Sequence, residues 1–146
     1  MTERQIDWEE KAARLDDLIL FIGQHILRYF ATKSEDLTLK EIFVLETLGR
    51  FGETTMSELA SALGVPLTTM TSIVGRLVEK GYLERRRTEE DRRVVLVSLS
   101  PEGRNLFARQ RQEYVRAVKE ILAVLPEEEQ AKVLALIGEV LTFLSY

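Results

Sequence analysis

The stretch TMSELASALGVPLTTMTSIVGRLVEK, residues 55–80, decides the fold, because its pattern predicts two short helices joined by a tight turn. Thr55 and Glu58 have the spacing of a capping box, which starts the first helix. Gly64 is expected to end that helix. Pro66 suits the first position of the second helix, because proline costs little there.

The arrangement of these two helices is typical of a helix-turn-helix. Ala60 is small enough for a close crossing, Gly64 takes a turn that a Cβ would resist, and Met70 anchors the second helix inward. Such a motif holds one helix in a major groove about 12 Å wide. Hydroxyls and cations on its free face would contact phosphates and base edges, although the same pattern also fits a plain solvated face. The candidate DNA contacts on this helix are Thr68, Thr69, Thr71, Ser72, Arg76 and Lys80.

A β-hairpin is predicted directly after the second helix. Its first arm, Tyr82 to Arg87, is basic, and its second arm, Arg93 to Leu99, is rich in β-branched residues. The polar turn Thr88 to Asp91 joins the two arms. A hairpin is weakly stable unless it packs on something, so its apolar arm should lie on the helices. The tip would then present arginine to a narrow minor groove.

Positive charge is concentrated in this region of an otherwise acidic protein. The whole chain has a formal net charge of −4, whereas residues 76–93 contain seven cations and five anions and therefore carry +2. A local basic stretch is compatible with a nucleic-acid face, and an ordinary charged surface would have the same composition. The candidate contacts in the hairpin are Arg85, Arg87, Asp91, Arg92 and Arg93.

A further helix is predicted before the helix-turn-helix. Thr38 and Glu41 have the spacing of a capping box that opens it, and Gly49 and Gly52 are expected to end it. The apolar positions expected to face inward in these three helices include Leu45, Leu59, Met70, Ile73 and Leu77.

Long amphipathic helices are predicted on both sides of this unit, the last of them beginning with Glu127, Glu128 and Glu129. The fold class is therefore mainly α with a small β-hairpin (α+β), with an N-terminal dimerisation helix in 1–37, a winged helix-turn-helix in 38–99 and C-terminal dimerisation helices in 100–146. Their apolar stripes predict a homodimer, since a symmetric partner would cover both ends. Two recognition helices about one DNA turn apart would require a near-palindromic operator.

The composition excludes several classes of function. The chain has no cysteine, so disulfides, thiolate metal sites and thiol redox sensing are impossible. His25 is the only histidine and is expected at a core edge or interface, so no metal site is predicted. The chain has none of the phosphate-binding glycine loops, nucleophile elbows or paired acid/base motifs of enzymes, so neither enzymatic activity nor a cofactor is expected. A polar, acidic start and the absence of any apolar run of about 18 residues predict a cytoplasmic protein without a membrane segment.

Nearly the whole chain resembles the MarR family of multiple-antibiotic-resistance regulators. The most specific elements are RLVEKGYL at 76–83, DRR at 91–93 with the strand after it, and SPEG at 100–103. The resemblance implies a recognition helix at about 66–80. It also implies that Asp91 and Arg93 lie on the wing and that the arginine enters the minor groove.

The function implied is that of a double-stranded DNA-binding transcriptional regulator, a homodimeric repressor released by a small-molecule effector. The effector pocket is expected near Ile22, His25, Tyr29 and Phe43. From its position two residues earlier in an extended chain, Asp91 is expected to hold the Arg93 guanidinium in a bidentate pair. The alternative function is a winged-helix module that binds protein and not DNA.

Overall fold

The computed structural model describes residues 8–33 and 36–144, and it has the predicted order of elements with one additional strand. The predicted polar start at 1–7 and the side chains of Phe30 and Leu144 lie outside the described residues. The elements are α1 (Trp8–Lys33), α2 (Leu39–Phe51), β1 (Thr54–Thr55), α3 (Met56–Leu63), α4 (Leu67–Glu79), β2 (Leu83–Arg87), β3 (Val95–Leu99), α5 (Pro101–Leu122) and α6 (Glu127–Leu144). The chain divides into two compact units, one ending at Gly103 and one beginning at Arg104.

A complete capping box opens α2. The Thr38 hydroxyl accepts a hydrogen bond from the Glu41 N–H at 3.3 Å, and the Glu41 carboxylate accepts one from the Thr38 N–H at 2.8 Å. The helix ends before Gly52, whose φ of 81° is a conformation that favours glycine. Gly49 was predicted as a second stop signal, but it lies inside the helix. One internal glycine costs only about 1 kcal/mol, which the buried apolar face of α2 outweighs.

The core of the first unit lies where α2, α3, α4 and β3 meet. The largest apolar side chains there are fully buried, and burial of each contributes about 1.5–3 kcal/mol. The sequence pattern had predicted that these positions face inward. The central residues of this core are Leu45, Leu59, Met70, Ile73, Leu77 and Val97.

The helix-turn-helix has the predicted turn. Gly64 takes the left-handed conformation, with φ 63° and ψ 34°, and the Val65 N–H donates to the Ala60 carbonyl at 3.1 Å. The direction of the chain bends by 107° from α3 to α4, which lies within the range of this motif. Pro66 was predicted at the first position of this helix, but it is the N-cap of α4, one position earlier.

The strands form a three-stranded antiparallel sheet in the order β1-β3-β2, rather than the predicted hairpin alone. Leu83 pairs with Leu99 at the base of the hairpin, and Thr54 of β1 pairs with Val97 on the other edge of β3. Thr55 is both the end of β1 and the N-cap of α3. The helix-turn-helix and the wing are therefore joined directly through β1.

The SPEG motif forms a close junction between the wing and α5. The Ser100 hydroxyl donates to the Gly81 carbonyl at 2.6 Å and accepts from the Gly103 N–H at 3.0 Å. The Ser100 N–H donates to the Tyr82 carbonyl at 3.0 Å. Gly103 is buried against that same carbonyl, where a Cβ would lie 2.0 Å from the oxygen. The glycine is therefore required by space and not by its backbone angles.

The outer helices expose apolar side chains along their length. In α1 several apolar residues are more than half exposed, including Leu15, Leu18, Ile19 and Ile22. In α6, which begins with three glutamates as predicted, the same holds for Leu134, Ile137, Val140 and Leu141. Among the described residues, no single helix is long and apolar enough to cross a membrane. The bent pair α3 and α4 meets that test together by length and composition.

Candidate nucleic-acid interface

One face of α4 remains exposed after its inward residues are buried. Thr68, Thr71 and Ser72 are exposed, and Thr69 is half-buried. The Thr71 hydroxyl donates to the Leu67 carbonyl at 2.9 Å within the helix. Thr71 therefore presents a methyl group and an acceptor oxygen, whereas the hydroxyls of Thr68 and Ser72 suit donation to phosphate or base edges.

The wing tip is an ordered turn held by Thr88 and Asp91. The Thr88 hydroxyl donates to the Asp91 carbonyl at 2.6 Å, and Thr88 N–H donates to the Val94 carbonyl at 3.1 Å. The strand β3 begins at Val95, so Arg93 belongs to this turn and not to the second arm as predicted. The turn thus fixes the backbone of Arg93 and leaves its side chain exposed.

The predicted bidentate pair between Asp91 and the Arg93 guanidinium is wrong. The Asp91 Oδ1 atom instead accepts a hydrogen bond from the Arg93 backbone N–H at 3.0 Å. The chain turns at this point, so the alternation of an extended strand, on which the prediction rested, does not apply. Asp91 therefore orders the backbone of the turn.

A cleft of about 400 Å³ brings the helix-turn-helix and the wing together. Thr71 of α4 lines it together with Arg85 and Arg93 of the wing. Ser57 and Leu67, which the sequence did not single out, complete it at the starts of α3 and α4. Its lining residues are Thr55, Met56, Ser57, Leu67, Thr71, Arg85, Arg93, Val94 and Val95.

Successive arginines of β2 serve different faces of the sheet. Arg85 lines the cleft, and Arg87 follows it on the same side by strand alternation. Arg86 points the other way and binds Glu53 with two contacts, Nε to Oε2 at 2.9 Å and Nη2 to Oε1 at 2.5 Å. The hydrogen bond from Arg86 lowers the pKa of Glu53. This bidentate pair crosses β3 and ties β2 to the segment before β1.

Two of the predicted DNA contacts have a partner inside the protein. Arg76 Nε lies 3.1 Å from Glu41 Oε1, and Lys80 Nζ lies 3.2 Å from Glu41 Oε2. Lys80 Nζ also donates to the Asp36 carbonyl. The sequence indicated Glu41 only as a capping residue, because its cationic partners lie 35 and 39 residues away.

The balance of forces on Glu41 keeps it ionised. Burial raises the pKa of this carboxyl, but hydrogen bonds from the Thr38 N–H, Arg76 and Lys80 together outweigh burial and lower it. Glu58, the capping residue of α3, also has a lowered pKa, chiefly through the Thr55 backbone N–H. Both carboxylates therefore favour the folded state in their charged form.

Acid is expected to destabilise the first unit partly through Glu41. Because the folded-state pKa lies below the unfolded one, this stabilisation is present above the ordinary pKa and is lost as the pH falls through the lowered value. The urea midpoint should thus decrease below about pH 4, and Glu41→Gln should flatten that decrease. Urea unfolding of wild type and Glu41→Gln across a pH series measures this difference. If the urea midpoints of the two proteins decreased in parallel, ionised Glu41 would not be a source of the stability.

The four predicted effector residues lie on α1 and α2. Ile22, His25 and Phe43 are exposed, and Tyr29 is half-buried. The His25 ring packs against Phe21 at a centroid distance of 4.3 Å, and its Nδ1 lies 3.2 Å from the Phe21 carbonyl oxygen. Within residues 8–33 and 36–144, no group of three or more acidic or histidine side chains could hold a metal ion.

These features define the class of the protein. The helices α3 and α4 meet at 107°, one face of α4 is exposed, and a three-stranded sheet forms the wing. This arrangement is a winged helix-turn-helix. A model of the MarR family matches residues 35–94, and an HTH-type transcriptional regulator that is 30% identical is matched over 70% of its own length, so the chain belongs to this family. The predicted fold class and family are thereby confirmed.

Known relatives agree with this assignment. The HTH-type transcriptional regulator PecS of Dickeya dadantii is 36% identical over 107 residues, a region that spans 71% of this chain and 64% of PecS, so less than two thirds of that relative is matched. The uncharacterised HTH-type transcriptional regulator YdgJ of Bacillus subtilis is 30% identical over 77% of this chain and 70% of its own length. FabT of Streptococcus pneumoniae, solved in complex with DNA, is 27% identical with a TM-score of 0.81, covering 92% of this chain and 97% of FabT.

Proposed function

We propose that this protein is a sequence-specific double-stranded DNA-binding regulator of transcription. The observation that carries the proposal is the cleft in which the exposed face of α4 meets Arg85 and Arg93 of the wing. A duplex that places its major groove on α4 would bring the adjacent backbone and minor groove to these arginines. The structure of FabT with DNA supports this, because FabT shares the fold.

The exposed groups of α4 and of the wing would contact different parts of the duplex. Thr68, Thr71 and Ser72 would face base edges and flanking phosphates in the major groove. Arg93 would enter the minor groove, and Asp91 would support it by ordering the turn. The remaining wing cations would bind phosphate oxygens without regard to sequence, namely Arg85, Arg87 and Arg92.

Selection of DNA from a random duplex pool by the purified protein tests this function. We expect enrichment of a near-palindrome whose half-sites lie about one helical turn apart, about 34–36 Å. The alternative, a winged-helix module that binds only protein, predicts no enrichment over an unselected pool. The nature of the site favours binding over catalysis, and we propose no enzymatic activity or cofactor. We also propose a cytoplasmic location for this regulator.

The exposed apolar faces of α1 and α6 support a homodimer. Each helix leaves several apolar side chains more than half exposed, among them Ile19 and Ile137. Monomers rarely expose such contiguous apolar surfaces. An identical partner would cover both faces and would place two recognition helices on one side of a duplex.

Sedimentation equilibrium is expected to show a dimer at micromolar protein concentration. Ile137→Glu should shift the equilibrium toward monomer, because it places a charge in the apolar stripe of α6. Glu139→Gln is a suitable control, because it changes charge at an exposed position of the same helix. A stable folded wild-type monomer under these conditions would contradict the dimer.

A small-molecule effector would act by preferring one spacing of the two recognition helices. We propose that it binds near Ile22, His25, Tyr29 and Phe43, and that it releases a repressor from its operator. Such a ligand changes DNA affinity only by its differential affinity for the two arrangements. The test is a ligand screen that scores both the melting temperature and the affinity for the selected duplex. Ligands that change only one of the two would argue against this site as the regulatory one.

A further inference from the structure

A single buried carboxylate binds both cations at the C-terminal end of α4. The Glu41 side chain is 1% exposed, and its two oxygens face Arg76 and Lys80 separately, at 3.1 and 3.2 Å. The same carboxylate accepts from the Thr38 N–H at the start of α2. The end of the recognition helix is thus fixed to the beginning of α2.

The two cations lie near the surface, yet they are directed inward. The side chain of Arg76 is 49% exposed and that of Lys80 is 32% exposed. Lys80 has a second acceptor in the Asp36 carbonyl, which also belongs to the α2 side. Without the charge of Glu41, Arg76 would lose its carboxylate partner and Lys80 would keep only the Asp36 carbonyl.

We propose that Glu41 is a positioning residue for DNA recognition, which fixes the end of the recognition helix and keeps Arg76 and Lys80 from the phosphate backbone. The inference rests on the proposed DNA-binding function. Phosphate contacts strengthen binding to every sequence equally, whereas base contacts discriminate between sequences. Withholding two cations therefore lowers the affinity for DNA of every sequence, whereas fixing the end of the recognition helix preserves the preference for the operator.

Salt dependence of DNA binding distinguishes this role from a structural one. Glu41→Gln keeps the side-chain shape and an acceptor for Thr38, but it removes the charge that holds the cations. We expect the slope of log affinity against log salt to steepen by about 0.9 per released cation and bound protomer. Between about 50 and 200 mM salt, one such contact costs about 3.5-fold more affinity than wild type loses. Because Glu41→Gln also frees the end of the recognition helix, the affinity ratio between the selected duplex and a shuffled duplex of equal length should decrease.

Arg76→Gln tests the proposal even if Glu41→Gln does not fold. In the wild-type protein Arg76 is held by Glu41 away from phosphate, so its removal should leave the salt slope unchanged. Arg85→Gln is the matched control, because Arg85 is an exposed wing cation that lines the cleft. It should reduce the slope by about 0.9 per bound protomer. In the double variant Glu41→Gln/Arg76→Gln, the salt slope should steepen only half as much as it does in Glu41→Gln, because one of the two released cations is missing.

The outcomes separate this inference from the function on which it rests. If Arg76→Gln reduces the slope as much as Arg85→Gln does, Arg76 binds phosphate in the wild type. The inference on Glu41 then fails, while the proposed DNA-binding function stands. An unchanged slope and duplex ratio in folded Glu41→Gln would also overturn it. If wild type does not distinguish the selected duplex from the shuffled one, the proposed function itself fails.

Discussion

Replacing Gly103 with alanine is expected to lower the free energy of unfolding by at least about 2 kcal/mol. The added Cβ would lie 2.0 Å from the carbonyl oxygen of Tyr82 and 3.0 Å from its carbonyl carbon. These are backbone atoms of the connection between α4 and β2. The same oxygen accepts the Ser100 N–H, so it cannot move aside without loss of that hydrogen bond. The start of α5 or the base of the wing must therefore shift.

Thermal unfolding at matched protein concentration measures this effect, with an expected decrease in Tm of about 5–10 °C. Gly75→Ala is the control, because Gly75 lies inside α4 and, apart from its chain neighbours and the nearby backbone of its own helix, no atom lies within 4 Å of a Cβ built there. Its stability should be unchanged or higher by up to about 1 kcal/mol, since alanine favours helix. An unchanged Tm in Gly103→Ala would show that the junction adapts without cost.

Arg93→Ala should weaken binding to the selected duplex by roughly 1–3 kcal/mol, about 5- to 150-fold, without loss of folding. Arg93 is exposed and lines the same cleft as Thr71 and Arg85, where a narrow minor groove would attract its guanidinium. The turn that carries Arg93 is held through its backbone N–H by Asp91. Because alanine keeps that N–H, the wing should retain its shape while the DNA contact is lost.

Two further variants sharpen this test. Arg93→Lys should restore only part of the affinity, because an ammonium group is more strongly hydrated and lacks the planar guanidinium fork. Arg86→Ala removes the same charge from the opposite face of the wing, where the side chain binds Glu53. It should therefore change affinity much less than Arg93→Ala does. If Arg93→Ala bound the selected duplex as tightly as wild type does, the proposed contact of the wing with the minor groove would be contradicted.

Local signals in the sequence predicted most of the helical framework. The capping boxes at Thr38 and Thr55, and the left-handed Gly64, depend on residues within three or four positions of one another. Their physical cause is contained in the segment that shows the pattern. The buried face of α4 followed from its periodicity in the same way.

The features that the sequence did not reveal depend on distant parts of the chain. β1 is only two residues long and exists because β3 offers it a free edge. Glu41 meets its cations across 35 and 39 residues, a separation that leaves no local pattern. Asp91 was assigned the wrong atom of Arg93, because the turn at the wing tip extends further than composition indicated.

The affinity ratio between the selected duplex and a shuffled duplex, measured at one salt concentration, tests the central claim most directly. A sequence-specific regulator is expected to bind the selected duplex at least about a thousandfold more tightly. Arg93→Ala should bring that ratio down, whereas Arg86→Ala should leave it near the wild-type value. A wild-type ratio close to one would contradict sequence-specific recognition by α4 and the wing.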